Sequence, residues 1–171
     1  MSLQMHMRID GVVGEAASFK HKGWMEILSW NWGMTSNRKT ALATDDSKTA
    51  LNEMSVIKYI GIDSTEIRNL FAQGKLIPHI DFNIEPLTGK REAQKNYVNI
   101  KMEDVLIKSV ITGGTAEDKF FKEHITLLYD RITFECNRPF QKSDASEAAP
   151  EWNDFRWDVV GNKIWGNEAD A

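Results

Sequence analysis

The chain has 171 residues, 42% hydrophobic and 27% charged, a length and balance that fit one domain and exclude wholesale disorder. The formal net charge of −4, from 21 basic and 25 acidic side chains, argues against a nucleic-acid surface. The single cysteine, Cys136, excludes an internal disulfide and a Cys-rich zinc site, and a core of this size needs neither.

The N-terminal residues MSLQMHMRIDG contain no apolar run of signal-peptide length, and no stretch approaches the roughly 18 apolar residues of a membrane span. The expectation is a chain made and folded in the cytoplasm, without membrane insertion. If it leaves the cell, it does so by a route that reads no N-terminal signal.

The predicted elements are mostly strands. Met5, Met7 and Ile9 alternate with His6 and Arg8, the two-residue period of a half-buried strand. Residues 28–34 repeat it: Leu28, Trp30, Trp32 and Met34 form an apolar face, and Ser29, Asn31 and Gly33 the opposite one. Residues 35–50 then read as a polar loop, longer than most connections, carrying Arg38, Lys39, Asp45 and Asp46. Strand alternation resumes over 54–60. A helix is predicted at about 64–73, with Asp63 as its cap and Glu66 completing a capping box. Ile67, Leu70 and Phe71 form its apolar face, and Gly74 closes it.

Beyond Pro78, Ile80, Phe82 and Ile84 mark a strand, followed by a polar loop from Pro86 to Asn96. Val98, Ile100 and Met102 mark the next, with a bulge predicted near Asp104 and extended chain from Val105 to Ile111. A third loop spans Thr112 to Glu123. Ile125, Leu127 and Tyr129, then Ile132 and Phe134, form the last clear strands, and Cys136 reads as strand packing. Residues 137–150 are a polar linker, leading to a tail with Trp152, Trp157 and Trp165.

Motifs of catalysis are missing from the sequence: no phosphate-binding glycine loop, no HExxH and no GxSxG. His6, His21, His79 and His124 show no metal-ligand spacing, although a triad assembled through the fold is left open. The expectation is no catalytic residue, no cofactor and no metal. Trp30 and Trp32 read as core, while Trp24 and the tail tryptophans, where exposed, read as interface residues. The charges of the 35–50 loop fit either a solvated loop or a contact with another copy of the chain.

The opening segment carries a resemblance. Ile9-Asp10-Gly11, Gly14-Glu15, Lys20-His21-Lys22 and Leu28-Ser29-Trp30-Asn31-Trp32 resemble, in order, the IDG-x-x-GE turn, the KHK stretch and the L-S-W-x-W strand of the Hcp (haemolysin co-regulated protein) family. Lys58-Tyr59-Ile60 through Asp63-Ser64-Thr65, Gly74-Lys75 through Pro78, Val105-Leu106 through Gly113-Gly114, and Glu123-His124-Ile125-Thr126-Leu127 resemble later family blocks. Trp157-Asp158 through Asn162-Lys163 resembles the block near the family's C-terminus. The resemblance covers about residues 3–165, with the whole chain, 1–171, as one domain. Four departures stand out: residues 35–50 lack the family's glycines, one residue is inserted before Asp63, Glu66 replaces a proline, and residues 137–156 do not align with the family.

The resemblance implies a mainly β fold: two packed antiparallel sheets forming a barrel-like sandwich, with one short α-helix on the side. It implies a structural tube subunit of a type VI secretion system, and no enzyme. The implied partners are other copies of the chain, as a homohexamer in stacked rings, together with sheath proteins, a spike protein and effector proteins carried in the channel. Ser29 and Asn31, on the polar side of the tryptophan strand, are the expected channel-facing residues. Arg38, Lys39, Asp45 and Asp46 are the expected ring-stacking residues. Two rival readings are a bacteriophage tail-tube protein and a monomeric β-barrel that binds a sugar or other small ligand through exposed tryptophans.

Overall fold

The structure is a computed structural model, and it describes residues 2–38, 40, 49–87, 97–136 and 153–166. In chain order the elements are β1 (Leu3–Ile9), β2 (Met25–Glu26), β3 (Ser29–Asn31), β4 (Met34–Ser36), β5 (Thr49–Leu51), β6 (Met54–Tyr59), α1 (Asp63–Ala72), β7 (Ile77–Pro86), β8 (Val98–Gly113), β9 (Lys122–Cys136), β10 (Asn153–Asp158) and β11 (Lys163–Ile164). All strand pairings are antiparallel.

Hydrogen bonds join nine strands in the order β11-β10-β9-β8-β7-β1-β2, with β6 on the free part of β9 and β3 on β6. The step between β2 and β3 brings the β2 end of that path against the β6–β3 branch. The Ile27 amide donates to the Met5 carbonyl at 2.9 Å, and the Leu28 amide donates to the Ile57 carbonyl at 2.8 Å. One short segment thus bonds to β1 on one side and to β6 on the other. The sheet folds over itself, and its two layers pack as a barrel-like sandwich.

The long β8–β9 hairpin runs through both layers. In its first-paired half Met102 stands opposite Ile132; in the other half Val105 stands opposite Tyr129. The buried residues of β8 are even-numbered up to Met102 and odd-numbered from Val105 to Ile107. Asp104, at φ 53°, sits at that switch. The register shift expected near Asp104 falls instead between Ile107 and Ser109; at Asp104 the pairing with β9 stays in register and the strand turns a corner, passing from one layer to the next and exchanging its faces.

Met7, Ile9, Met54, Val56, Phe82, Met102, Ile125 and Leu127 are fully enclosed between the layers. Each such side chain contributes about 1.5–3 kcal/mol by leaving water. Trp30 and Trp32 are half-buried and pack on this core, with Trp30 at 5.5 Å from the Phe82 ring. Trp32 donates from Nε1 to the Tyr129 hydroxyl and stacks on Phe134. Cys136, half-buried on β9, packs against the same core.

Four local expectations are corrected. Met34 is 50% exposed, because regular pairing of the tryptophan strand ends at Asn31 and Met34 starts a separate two-stranded hairpin with β5. The ends of the 35–50 segment are accordingly paired strand, not loop. Phe71 is also exposed, since Ile67 and Leu70 alone fill the contact with the sheet. Asp63 makes no capping bond to the helix; its carboxylate is drawn inward by a buried lysine. The helix does end as its sequence suggests: Gly74 adopts φ +59°, and the Lys75 amide reaches back to the Leu70 carbonyl.

Candidate channel face and buried polar clusters

Strands β3, β6, β9 and β8 lie side by side, and their registers align one residue from each. Asn31 pairs with Ser55, Ser55 with Thr126, and Thr126 with Ser109. The adjacent row is Ser29, Ile57, His124 and Ile111. Because strands alternate faces, these residues point away from Val56 and Ile125, which are buried. Ser29 and Asn31 are exposed, so they stand on an outward surface where hydroxyl and amide groups are interspersed with Ile57, His124 and Ile111. The outer side of the other layer differs: Arg8 pairs with Asp81 at 2.7 Å, and Asn83, Asn99, Lys101 and Glu135 surround them.

A buried ionic cluster lies behind the first surface. Lys58 occupies the Met54–Val56 side of β6 and is 3% exposed. Its Nζ lies 3.0 Å from Glu123 Oε1, 3.1 Å from the Asp63 carboxylate and 2.6 Å from the Tyr59 carbonyl. The Ser64 hydroxyl donates to the same Glu123 oxygen at 2.7 Å, and Arg68 Nη1 donates to the other at 2.9 Å. Burial acts to raise the Glu123 carboxyl, but the hydrogen bonds from Ser64 and Lys58 outweigh it and hold the group below its usual value. This cluster ties helix α1 to β6 and β9.

A second polar cluster joins β1, the loop before β2, and β7. His6, His21 and Glu85 are all buried. The two imidazoles stack at 4.3 Å between centroids, and Trp24 meets His21 edge-on. Burial pushes His21 down to about 4, assisted by the neighbouring His6 and opposed by Glu85. Burial likewise lowers His6. Both rings are neutral at neutral pH. No local pattern marks this grouping, because its members are 15 and 64 residues apart along the chain.

Of the residues expected to stack rings, Arg38 is described: it is exposed just beyond β4, its amide bonded to the Ser36 hydroxyl at 3.3 Å. Lys39, Asp45 and Asp46 lie outside the described residues. The sequence also passed over an apolar surface patch. Tyr59, Ile60, Phe120 and Phe121 are between 41% and 58% exposed, with the Tyr59 and Phe120 rings 5.6 Å apart.

The profile of the family described as "Type VI secretion system effector, Hcp" matches residues 6–136, more than half of the chain. This chain belongs to the Hcp family. It is similar to the protein hcp1 of Pseudomonas aeruginosa, at 26% identity over 164 residues, covering 95% of this chain and 98% of that one. Its fold is similar to a structure described as a type six secretion system protein, with a TM-score of 0.83 at 21% identity, covering 96% of this chain and all of the other. Hcp1 from Salmonella typhimurium has a TM-score of 0.75 at 20% identity, with coverage of 96% and 100%.

As an Hcp protein the chain is a type VI secretion tube protein, and the structure explains its family-like blocks. Gly14 lies so close to β2 that a Cβ there would sit 2.3 Å from the Trp24 carbonyl oxygen. Glu15 accepts the Ile62 amide at 3.0 Å and so serves the open N-terminus of α1, the role expected of Asp63. Lys58, Asp63, Ser64 and Glu123, from two distant Hcp-like blocks, meet in the ionic cluster. The blocks share a physical reason: they build the joint between helix and sheet. No helix among the described residues is long and apolar enough to cross a membrane.

Proposed function

We propose that this Hcp chain forms homohexameric rings that stack into the inner tube of a type VI secretion machine, with Ser29 and Asn31 facing the channel. The aligned row Asn31-Ser55-Thr126-Ser109 carries this reading. A conduit for varied protein cargo benefits from an uncharged polar wall, which offers hydrogen bonds without a fixed electrostatic preference. The exposed patch of Tyr59, Ile60, Phe120 and Phe121 supplies apolar area for contact with a neighbouring copy. A head-to-tail contact of this kind closes into a ring when its rotation fits. Such a subunit does its work by assembly and binding, without a catalytic site. It assembles in the cytoplasm, inside a sheath and behind a spike, and leaves with its effector cargo by the type VI route.

Light scattering on the purified protein tests the ring directly. A mass near six times the 19.5 kDa chain supports it, and a monomer at high concentration overturns it. Asn31→Arg is expected to leave rings intact and abolish effector retention; loss of rings would place Asn31 in a subunit contact instead. Arg38, Lys39, Asp45 and Asp46 are assigned to ring stacking. Deleting residues 37–48 should then leave single rings and weaken tubes seen by negative stain, and unchanged tubes would reject that assignment.

A further inference from the structure

His6 on β1, His21 in the loop before β2 and Glu85 on β7 are 2%, 1% and 0% exposed, and nothing in the tube role uses them. One ligand-capable atom from each lies within 4.8 Å of the other two. His21 Nδ1 is 3.3 Å, and His6 Nδ1 4.0 Å, from the same oxygen, Glu85 Oε1. His6 Nδ1 and Glu85 Oε1 have no hydrogen-bond partner, although both are buried. Buried polar atoms are rarely left so, and each such exception calls for a cause.

We propose that His6 Nδ1, His21 Nδ1 and Glu85 Oε1 form a binding site for a divalent transition-metal ion of the zinc class. Two imidazole nitrogens and one carboxylate oxygen suit such an ion, whereas calcium and magnesium demand a shell of oxygens. Neighbouring ligands of a tetrahedral ion, bound at about 2.0–2.1 Å, stand about 3.3 Å apart. His21 and Glu85 already meet that spacing, while His6 has to close from 4.0 Å on Glu85 and from within 4.8 Å on His21. Capture turns the His6 ring out of its stack on His21, so that both nitrogen lone pairs converge on one point. Ligating imidazoles have to be neutral, and burial disfavours the protonated form of both rings. The Asn83 amide nitrogen stands 3.2 Å from His21 Nε2; turning that amide over presents its oxygen to an Nε2 proton and leaves Nδ1 for the ion, with the Ser18 hydroxyl, 3.4 Å from Nδ1, rotating away. Lys20 opposes the ion: its Nζ lies 3.0 Å from Glu85 Oε2. That lysine side chain is 41% exposed and can swing toward solvent when a cation enters.

Titration of the chelator-stripped, full-length protein with Co²⁺ and with Zn²⁺ tests the site. We expect one ion per chain and the visible absorption of a low-coordinate cobalt centre. His6→Phe and Glu85→Gln should each weaken binding about tenfold or more, with folding checked by circular dichroism. Lys20→Met removes the competing charge and should tighten binding severalfold. Absence of uptake by the unaltered chain overturns the proposal. So does full binding by His6→Phe, which would place the ion on surface groups such as His79 or His124. If neither ligand variant folds, Lys20→Met decides: an affinity no tighter than that of the unaltered chain rejects the site. These outcomes are independent of whether rings form.

Discussion

Glu123 and Glu85 are both wholly inaccessible to solvent, but they are buried in different ways. Glu123 receives Ser64 and Lys58 on one oxygen and Arg68 on the other. Glu85 receives Lys20 on Oε2, while Oε1 faces two imidazoles without a hydrogen bond. A carboxylate with its lone pairs answered fixes a joint between elements. One with an oxygen unanswered stores a cost that another ligand can relieve. The contrast separates a cluster that holds helix α1 to its sheet from one that is poised to take up a cation.

The largest expected effect strikes the first cluster. Lys58→Met leaves Glu123 and Asp63 buried without their shared cation, and should cost about 3–5 kcal/mol of stability in urea unfolding. A loss below about 1 kcal/mol would mean that the satisfied cluster is not what secures the joint. Acid probes the same carboxylate by a gentler route. Glu123 titrates lower in the folded chain than the ordinary 4.5. Its contribution is therefore complete above 4.5 and is lost as pH falls through the lower folded value. Thermal midpoints measured from neutral pH downward should show that fall, and Glu123→Gln should flatten it.

The second cluster should respond less. In metal-free protein, Glu85→Gln is expected to cost about 1 kcal/mol, since few bonds are lost. A cost larger than that of Lys58→Met would reverse the comparison between the two carboxylates. The smallest effect should come from Arg68→Ala. Arg68 is 40% exposed, so its pair with Glu123 is screened by water and worth about 0–1 kcal/mol. A loss of several kcal/mol there would show that the cluster depends on its rim.

The strands could be read in advance because a sheet with one buried face imposes a period of two on its side chains. Met7 and Ile9, Met54 and Val56, and Ile125 and Leu127 are buried as that period requires. The change of buried face around Asp104 was legible as a break in the pattern, but the register shift itself lies further on, between Ile107 and Ser109. Asp63 was misread because a cap is a local rule, and a buried lysine five residues earlier overrode it. Lys58 itself offered a signal: a cation on the apolar face of a strand has to find a buried anion. Nothing comparable marked His6, since alternation placed it on the polar side of β1. That side is covered by the loop that carries His21.

By itself the sequence determined the β-rich fold, the site of the helix, the outward position of Ser29 and Asn31, and the family, because local periodicity and ordered blocks are written along the chain. Only the tertiary structure decided which polar groups meet inside. The partners of Glu123 and Glu85 come from elements far apart in sequence, and strand register and layer packing alone bring them within a few ångströms.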